Sequence, residues 1–128
     1  MKKSRVEEIL PLSPLQEGLL FHALYDGQGP DVYTAQMSVD LDGSVDGDVL
    51  RSAAEALLRR HANLRAGFRY RRSGQPVQVI PREVVVPWRQ VDLSGLPQAD
   101  REAELTRLLT EDRDHRFDMS RPPLVRFT

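Results

Sequence analysis

The chain has 128 residues, 40% of them hydrophobic and 29% charged, with 18 basic against 19 acidic side chains and a net charge of -1. That is the length of one domain with one core, and the balanced charge leaves no electrostatic footprint for nucleic acid or for an anionic membrane surface. Cysteine is absent, which excludes disulfides and thiol chemistry, and no charged leader precedes a long apolar run, so the sequence reads as cytoplasmic.

The first element lies in "LPLSPLQEGLLFHALYD", residues 10–26. Ser13, Pro14 and Gln16 stand where an N-cap, a first helical residue and a capping-box partner belong, predicting a helix to about Tyr25 that Asp26 and Gly27 end. Next, Tyr33, Ala35, Met37, Val39 and Leu41 alternate with Thr34, Gln36, Ser38, Asp40 and Asp42, the period of a strand with one buried face. No other stretch of the sequence has so clear a strand pattern. Asp46 predicts the cap of a second helix, whose Val49, Leu50, Ala53, Ala54, Leu57 and Leu58 recur at helical spacing. Asn63 is placed to close it in a left-handed conformation.

"LRAGFRYRRSGQPVQVI" predicts two short strands joined through Ser73 and Gly74, and "EVVVPWRQVDLSG" a further extended stretch broken at Pro87. From about Gln98, "QADREAELTRLLTEDRDH" is a charged amphipathic helix with Ala103, Leu105, Leu108 and Leu109 inward, covering a sheet. The alternation of helical and strand patterns makes the fold class α/β. At the end, "PPLVRFT" opens another strand within which the chain stops. The expectation is a piece of something longer, whose last strand, with Leu124, Val125 and Phe127, lacks neighbours and either self-associates or stays disordered.

The sequence is sparing in reactive groups. It has three histidines. His22 follows Leu15, Gly18 and Leu19 on one helical face, which places its imidazole under the core in a structural role. His61 closes the second helix, where it can cap carbonyls, and His115 lies solvated in a charged stretch. No two of them have metal-ligand spacing, and Gly27 and Gly29 lack the following helix start of a phosphate loop. Arg65, Arg69 and Arg71 share one strand face, for which solvation is a simpler reading than phosphate binding. Arg60 and Arg65 bracket the helix-to-strand corner as partners for a carboxylate elsewhere in the fold. No acid in the chain is evidently placed to receive both.

"LPLSPLQEGLLFH" at 10–22 and "RHANLRAGF" at 60–68 resemble the first two signature motifs of nonribosomal peptide synthetase condensation domains, in the same order. "HRFDMSRPPLVRFT", 115–128, is similar to the segment leading to the strand before that family's active-site motif. The resemblance implies that residues 1–128 are the N-terminal lobe of a chloramphenicol-acetyltransferase-like fold, a mixed sheet covered by helices, truncated before the active-site motif. It implies peptide-bond formation between thioesters that donor and acceptor peptidyl carrier proteins hold on phosphopantetheine arms, with no cofactor bound directly. The partners so implied are those carriers and the missing C-terminal lobe.

The family's catalytic HHxxxDG is absent from the chain, so His22, His61 and His115 inherit no catalytic role and the 128 residues alone are expected to be inactive. Arg60 and Arg65 match the arginines that hold the aspartate of that motif, as active-site support. On this reading Arg65 lacks its partner here, and replacing it in this chain should cost little. Ser13, Gln16, Gly18, His22 and His61 are motif positions with structural roles. Epimerization domains and catalytically silent, partner-recruiting members of the superfamily share the fold and remain alternatives.

Overall fold

The computed structural model describes residues 4–25, 27–29 and 31–128. Among them lie β1 (Val6–Pro11), α1 (Pro14–Tyr25), α2 (Gly47–Arg60), a 3-10 turn (Ala62–Arg65), β2 (Gly67–Tyr70), β3 (Pro76–Pro81) and α3 (Gln98–Asp114). No helix among the described residues is long and apolar enough to cross a membrane.

Helix starts follow the sequence closely. The Ser13 backbone N–H donates to Gln16 Oε1 at 2.9 Å and the Gln16 N–H to Ser13 Oγ at 3.2 Å, a complete capping box. Asp46 Oδ1 accepts from the N–H groups of Asp48 and Val49 at 2.9 and 3.2 Å, which satisfies two donors that lack intrahelical partners. Of the predicted end of α1, Asp26 lies outside the described residues. The end of α2 departs from expectation: Asn63 sits in the 3-10 turn, and no described residue other than glycine has positive φ. His61 closes the helix instead, with extended backbone and its N–H on Leu57 O at 3.0 Å.

The three-stranded sheet among the described residues is antiparallel, in the order β1-β3-β2. β2 and β3 are joined by a tight turn, which dictates the antiparallel sense, since parallel neighbours need a long crossover. In that turn the Arg71 N–H donates to Gln75 O at 2.8 Å and Gly74 takes a φ of +82°, the conformation glycine alone adopts freely. Parallel pairing among the described residues is confined to a bridge between Trp88 and Phe127. β1 was not legible as a strand. Glu7 and Glu8 interrupt its alternation, and the ladder takes up the irregularity with a register shift between Val6 and Glu8.

The core gathers Ala54 and Leu58 of α2 with Val86, packed against Val84, Trp88, Val125 and Phe127. Alternation holds through 84–88, where Val85 points out and is 81% exposed. The C-terminal segment is therefore docked and not a free strand. The Phe127 N–H donates to Pro87 O, the Arg89 N–H to Phe127 O, both at 2.9 Å, and the Phe127 ring lies 6.1 Å from that of Trp88.

α3 buries Leu108 but leaves Leu105 and Ala103 exposed. Its anchors lie on neighbouring segments, not on the sheet: Arg126 Nε donates to Asp112 Oδ1 at 2.6 Å and Arg89 Nη1 to Glu111 Oε1 at 3.0 Å. The largest correction concerns residues 33–42, the stretch with the strongest strand pattern, which forms no strand. Its pattern requires a neighbour to accept its backbone bonds, and the described residues supply none.

Candidate functional site

Residues 60–68 carry the chain from α2 into β2, and the charge buried at this corner is Arg65, 5% exposed. The 3-10 turn folds the chain back on the end of α2, so Arg65 Nη1 donates to Leu58 O at 2.7 Å and to Arg59 O at 3.0 Å. These carbonyls belong to the last turn of the helix, where oxygens lack intrahelical donors and a cation is favoured. Nε donates to Pro81 O at the end of β3 at 3.0 Å, and Nη2 to Glu7 Oε2 of β1 at 2.6 Å. Four of the five guanidinium N–H groups are thus engaged within the chain. One side chain ties α2, β1 and β3 together.

This corrects the sequence expectation for Arg65. Its carboxylate partner is in the chain: it is Glu7, 58 positions earlier, brought to the corner by the β1–β3 ladder. The signal that would have found it is the strand itself, masked by the two glutamates. Arg60 differs. It is exposed and makes no ion pair among the described residues. Arg65 is likewise not on a strand face with Arg69 and Arg71: Arg69 lies exposed on β2, donating to Ser120 O at 3.3 Å, and Arg71 begins the hairpin turn.

The first-motif residues divide by role. Gln16 Nε2 donates to Gln78 Oε1 at 3.1 Å, linking the start of α1 to the buried amide of β3. The two amides border a small cavity of about 180 Å³ with Asn63, Phe68, Leu124 and Val125. Gly18 has open space where a Cβ would be, so no close approach requires glycine there. His22 is exposed, edge-on to Phe21 at 5.8 Å and 6.1 Å from the Tyr33 ring, not hydrogen-bonded under the core. α1 buries only Leu20, and two positions further on the helix has turned to the opposite side. The His61 side chain and His115 are exposed, as expected for the latter.

Among the described residues no histidine side chain has a hydrogen-bonded acid or nucleophile beside it, as a positioned general base requires. None of their clusters of His, Cys, Asp or Glu is arranged to hold a metal. Asp112 of α3 is a carboxyl shaped by its surroundings. Partial burial pushes its carboxyl up, but hydrogen bonds from Arg126 and Gln36 and the Arg126 charge outweigh that and hold it below its ordinary value. These groups organise structure. The chemistry they support is the positioning of neighbouring segments.

The family model described as Condensation domain matches residues 6–128. A linear gramicidin synthase of Brevibacillus parabrevis is 34% identical over 128 residues, all of this chain and 2% of that protein. Gramicidin S synthase 2 of Brevibacillus brevis is 35% identical over 125 residues, 98% of this chain and 3% of that protein. Bacitracin synthase 1 of Bacillus licheniformis is 34% identical over 122 residues, covering 95% and 2%. The chain thus spans a few hundredths of the length of these relatives.

Proposed function

The chain belongs to the condensation-domain family, and from that membership we propose that residues 1–128 serve as the N-terminal lobe of a chloramphenicol-acetyltransferase-like domain that forms peptide bonds in nonribosomal peptide synthesis. The observation that carries this reading is the continuous match over residues 6–128, which spans both signature segments, 10–22 and 60–68. In the reaction, the amine of an acceptor thioester attacks the carbonyl of a donor thioester. A C–N bond forms, the C–S bond breaks, and the donor arm's thiol leaves with the proton.

Both arms belong to carrier proteins and enter as part of the substrates. Among the described residues the large groove beside α1 and α2 is lined mainly by apolar side chains. On this reading Arg65 is a positioning residue, holding the corner between α2 and the sheet. Its one uncommitted N–H, together with the exposed guanidinium of Arg60, supports the role of receiving a carboxylate from the rest of the domain. The 128 residues alone, lacking HHxxxDG, form no peptide bond.

The test is to express the chain continued through the codons that follow it in its gene, to supply donor- and acceptor-loaded carriers, and to follow the dipeptidyl thioester by mass spectrometry. Product is expected from the longer protein and none from residues 1–128. A soluble longer protein that yields no product but exchanges the α-proton of a carrier-bound aminoacyl group overturns the reading in favour of an epimerase. One that does neither, yet binds carriers, overturns it in favour of a silent recruiting domain.

A further inference from the structure

The dipeptide Asp-Gly occurs three times, starting at Asp26, Asp42 and Asp46. Asp26 lies outside the described residues, and the fold treats the other two in opposite ways. Both aspartates are exposed, so access to water does not separate them. Asp46 is committed. Its Oδ1 accepts from the N–H groups of Asp48 and Val49, its carbonyl oxygen accepts from the Leu50 N–H at 3.1 Å, and its ψ of +111° turns the Gly47 nitrogen away from its side chain. Gly47 opens α2 and is crowded by Gln90, whose Oε1 lies 2.7 Å from where a Cβ would stand. Asp42 is free of such ties: among the described residues its carboxylate, its backbone groups and the Gly43 N–H make no hydrogen bond. Gly43 takes a φ of +92° with open space where a Cβ would be.

We propose that Asp42–Gly43 is a site of spontaneous isoaspartate formation, a covalent modification that the fold permits there and suppresses at Asp46–Gly47. The Gly43 amide nitrogen gives up its proton and attacks Asp42 Cγ. The N–Cγ bond forms, a Cγ–O bond breaks and one water leaves, closing a five-membered succinimide. Water then adds at the former main-chain carbonyl carbon of Asp42, and the bond from that carbon to the Gly43 nitrogen breaks. The chain now runs through Cβ and Cγ, the former main-chain carbonyl is a free carboxylate, and composition is unchanged. Glycine favours the attack because no Cβ crowds the nitrogen. Ring closure also requires that nitrogen to swing towards the side chain by rotation about the Asp Cα–C bond. At Asp42 the rotation breaks no hydrogen bond, whereas at Asp46 it withdraws the cap from Asp48 and Val49 and turns away the carbonyl that Leu50 uses. The product places an extra backbone methylene in the link leading to α2, short of its cap, and presents the free carboxylate that S-adenosylmethionine-dependent isoaspartyl methyltransferases esterify. The inference is independent of the proposed catalytic role.

The purified 128-residue chain, incubated at physiological temperature and pH, is expected to accumulate isoaspartate at Asp42 about tenfold faster than at Asp46, read by electron-transfer dissociation of its peptides, which distinguishes the two linkages. In urea, where the cap is gone, the two rates should converge. Gly43→Ala, which crowds the attacking nitrogen, should slow the reaction at Asp42 and leave that at Asp46 unchanged. Equal rates at the two sites in the native chain overturn the proposal, as does a native chain free of isoaspartate at Asp42 over a time that converts the chain in urea. A difference that persists undiminished in urea also overturns it, by assigning the preference to neighbouring residues and not to the fold.

Discussion

Two regions of this molecule meet the same requirement, a partner distant in sequence, with opposite results. At the Arg65 corner one guanidinium reaches α2, β1 and β3 through four hydrogen bonds, and a charge that would be costly to bury alone is matched by Glu7 and three carbonyls. At residues 35–42 the backbone wants a neighbour for a whole row of groups and finds none among the described residues. A single side chain with directional donors can gather several elements, whereas a strand can be completed only by another strand. The corner is consequently a point of order inside the chain, and the segment is a point where order has to be supplied.

The sharpest way to break this comparison is Arg65→Ala. Removing the guanidinium leaves the carbonyls of Leu58, Arg59 and Pro81 without their donor, while the exposed Glu7 carboxylate returns to water, at an expected cost of about 2 to 4 kcal/mol, read as a lower urea midpoint of the isolated chain. A loss below about 1 kcal/mol, the scale of an exposed ion pair, would put Arg65 in the same class as the open segment.

Arg126→Ala probes a second, smaller clamp. Arg126 donates to the Asp112 carboxylate, to Asp112 O and to His115 O, and lies 4.2 Å from the centre of the Phe117 ring. Its removal should cost about 2 kcal/mol in the same unfolding measurement. The Asp112 end of this clamp also titrates. Its carboxyl is held below its ordinary value in the folded chain, so the unfolded chain takes the proton first on acidification. The stabilisation is full at neutral pH and is lost as pH falls below about 4. The stability gap between wild type and Asp112→Asn should accordingly be widest near pH 7 and shrink on acidification; a gap constant with pH would show that the charge contributes nothing. At the small end, Met37→Ala and Val39→Ala should change the stability of the chain by less than about 0.5 kcal/mol, despite the apolar character of both residues. A larger loss would mean that the segment is already packed.

Local chemistry was what the sequence made legible. Ser13 with Gln16, Asp46, and the Ser73–Gly74 turn were each readable because the partner of every group lies within three or four positions. What was lost depended on distance. β1 hid behind Glu7 and Glu8, and with it went the acid that completes Arg65. The alternation at 33–42 was read correctly as a pattern and wrongly as a structure, because periodicity reports which faces a segment would offer and says nothing of whether a neighbour exists. Arg60 and Arg65 were identified together as the corner's cations, whereas only Arg65 is buried there, and its burial inverts the expected consequence of removing it. For His22 the helical face was inferred from Leu15, Gly18 and Leu19, whereas the buried face of α1 passes through Leu20.

Gln16 carries a restriction on which amino acids the position can hold. Its amide oxygen completes the cap with Ser13 while its amide nitrogen reaches Gln78, so one side chain serves a local and a distant constraint at opposite ends of the same group. Glutamate keeps the oxygen and forfeits the donor; asparagine keeps both functions but is a methylene short; lysine donates and cannot accept. The vocabulary at this position shrinks to a single letter, and the reason is neither catalysis nor packing volume. Two partners sixty-five positions apart, Ser13 and Gln78, read different atoms of one terminal amide.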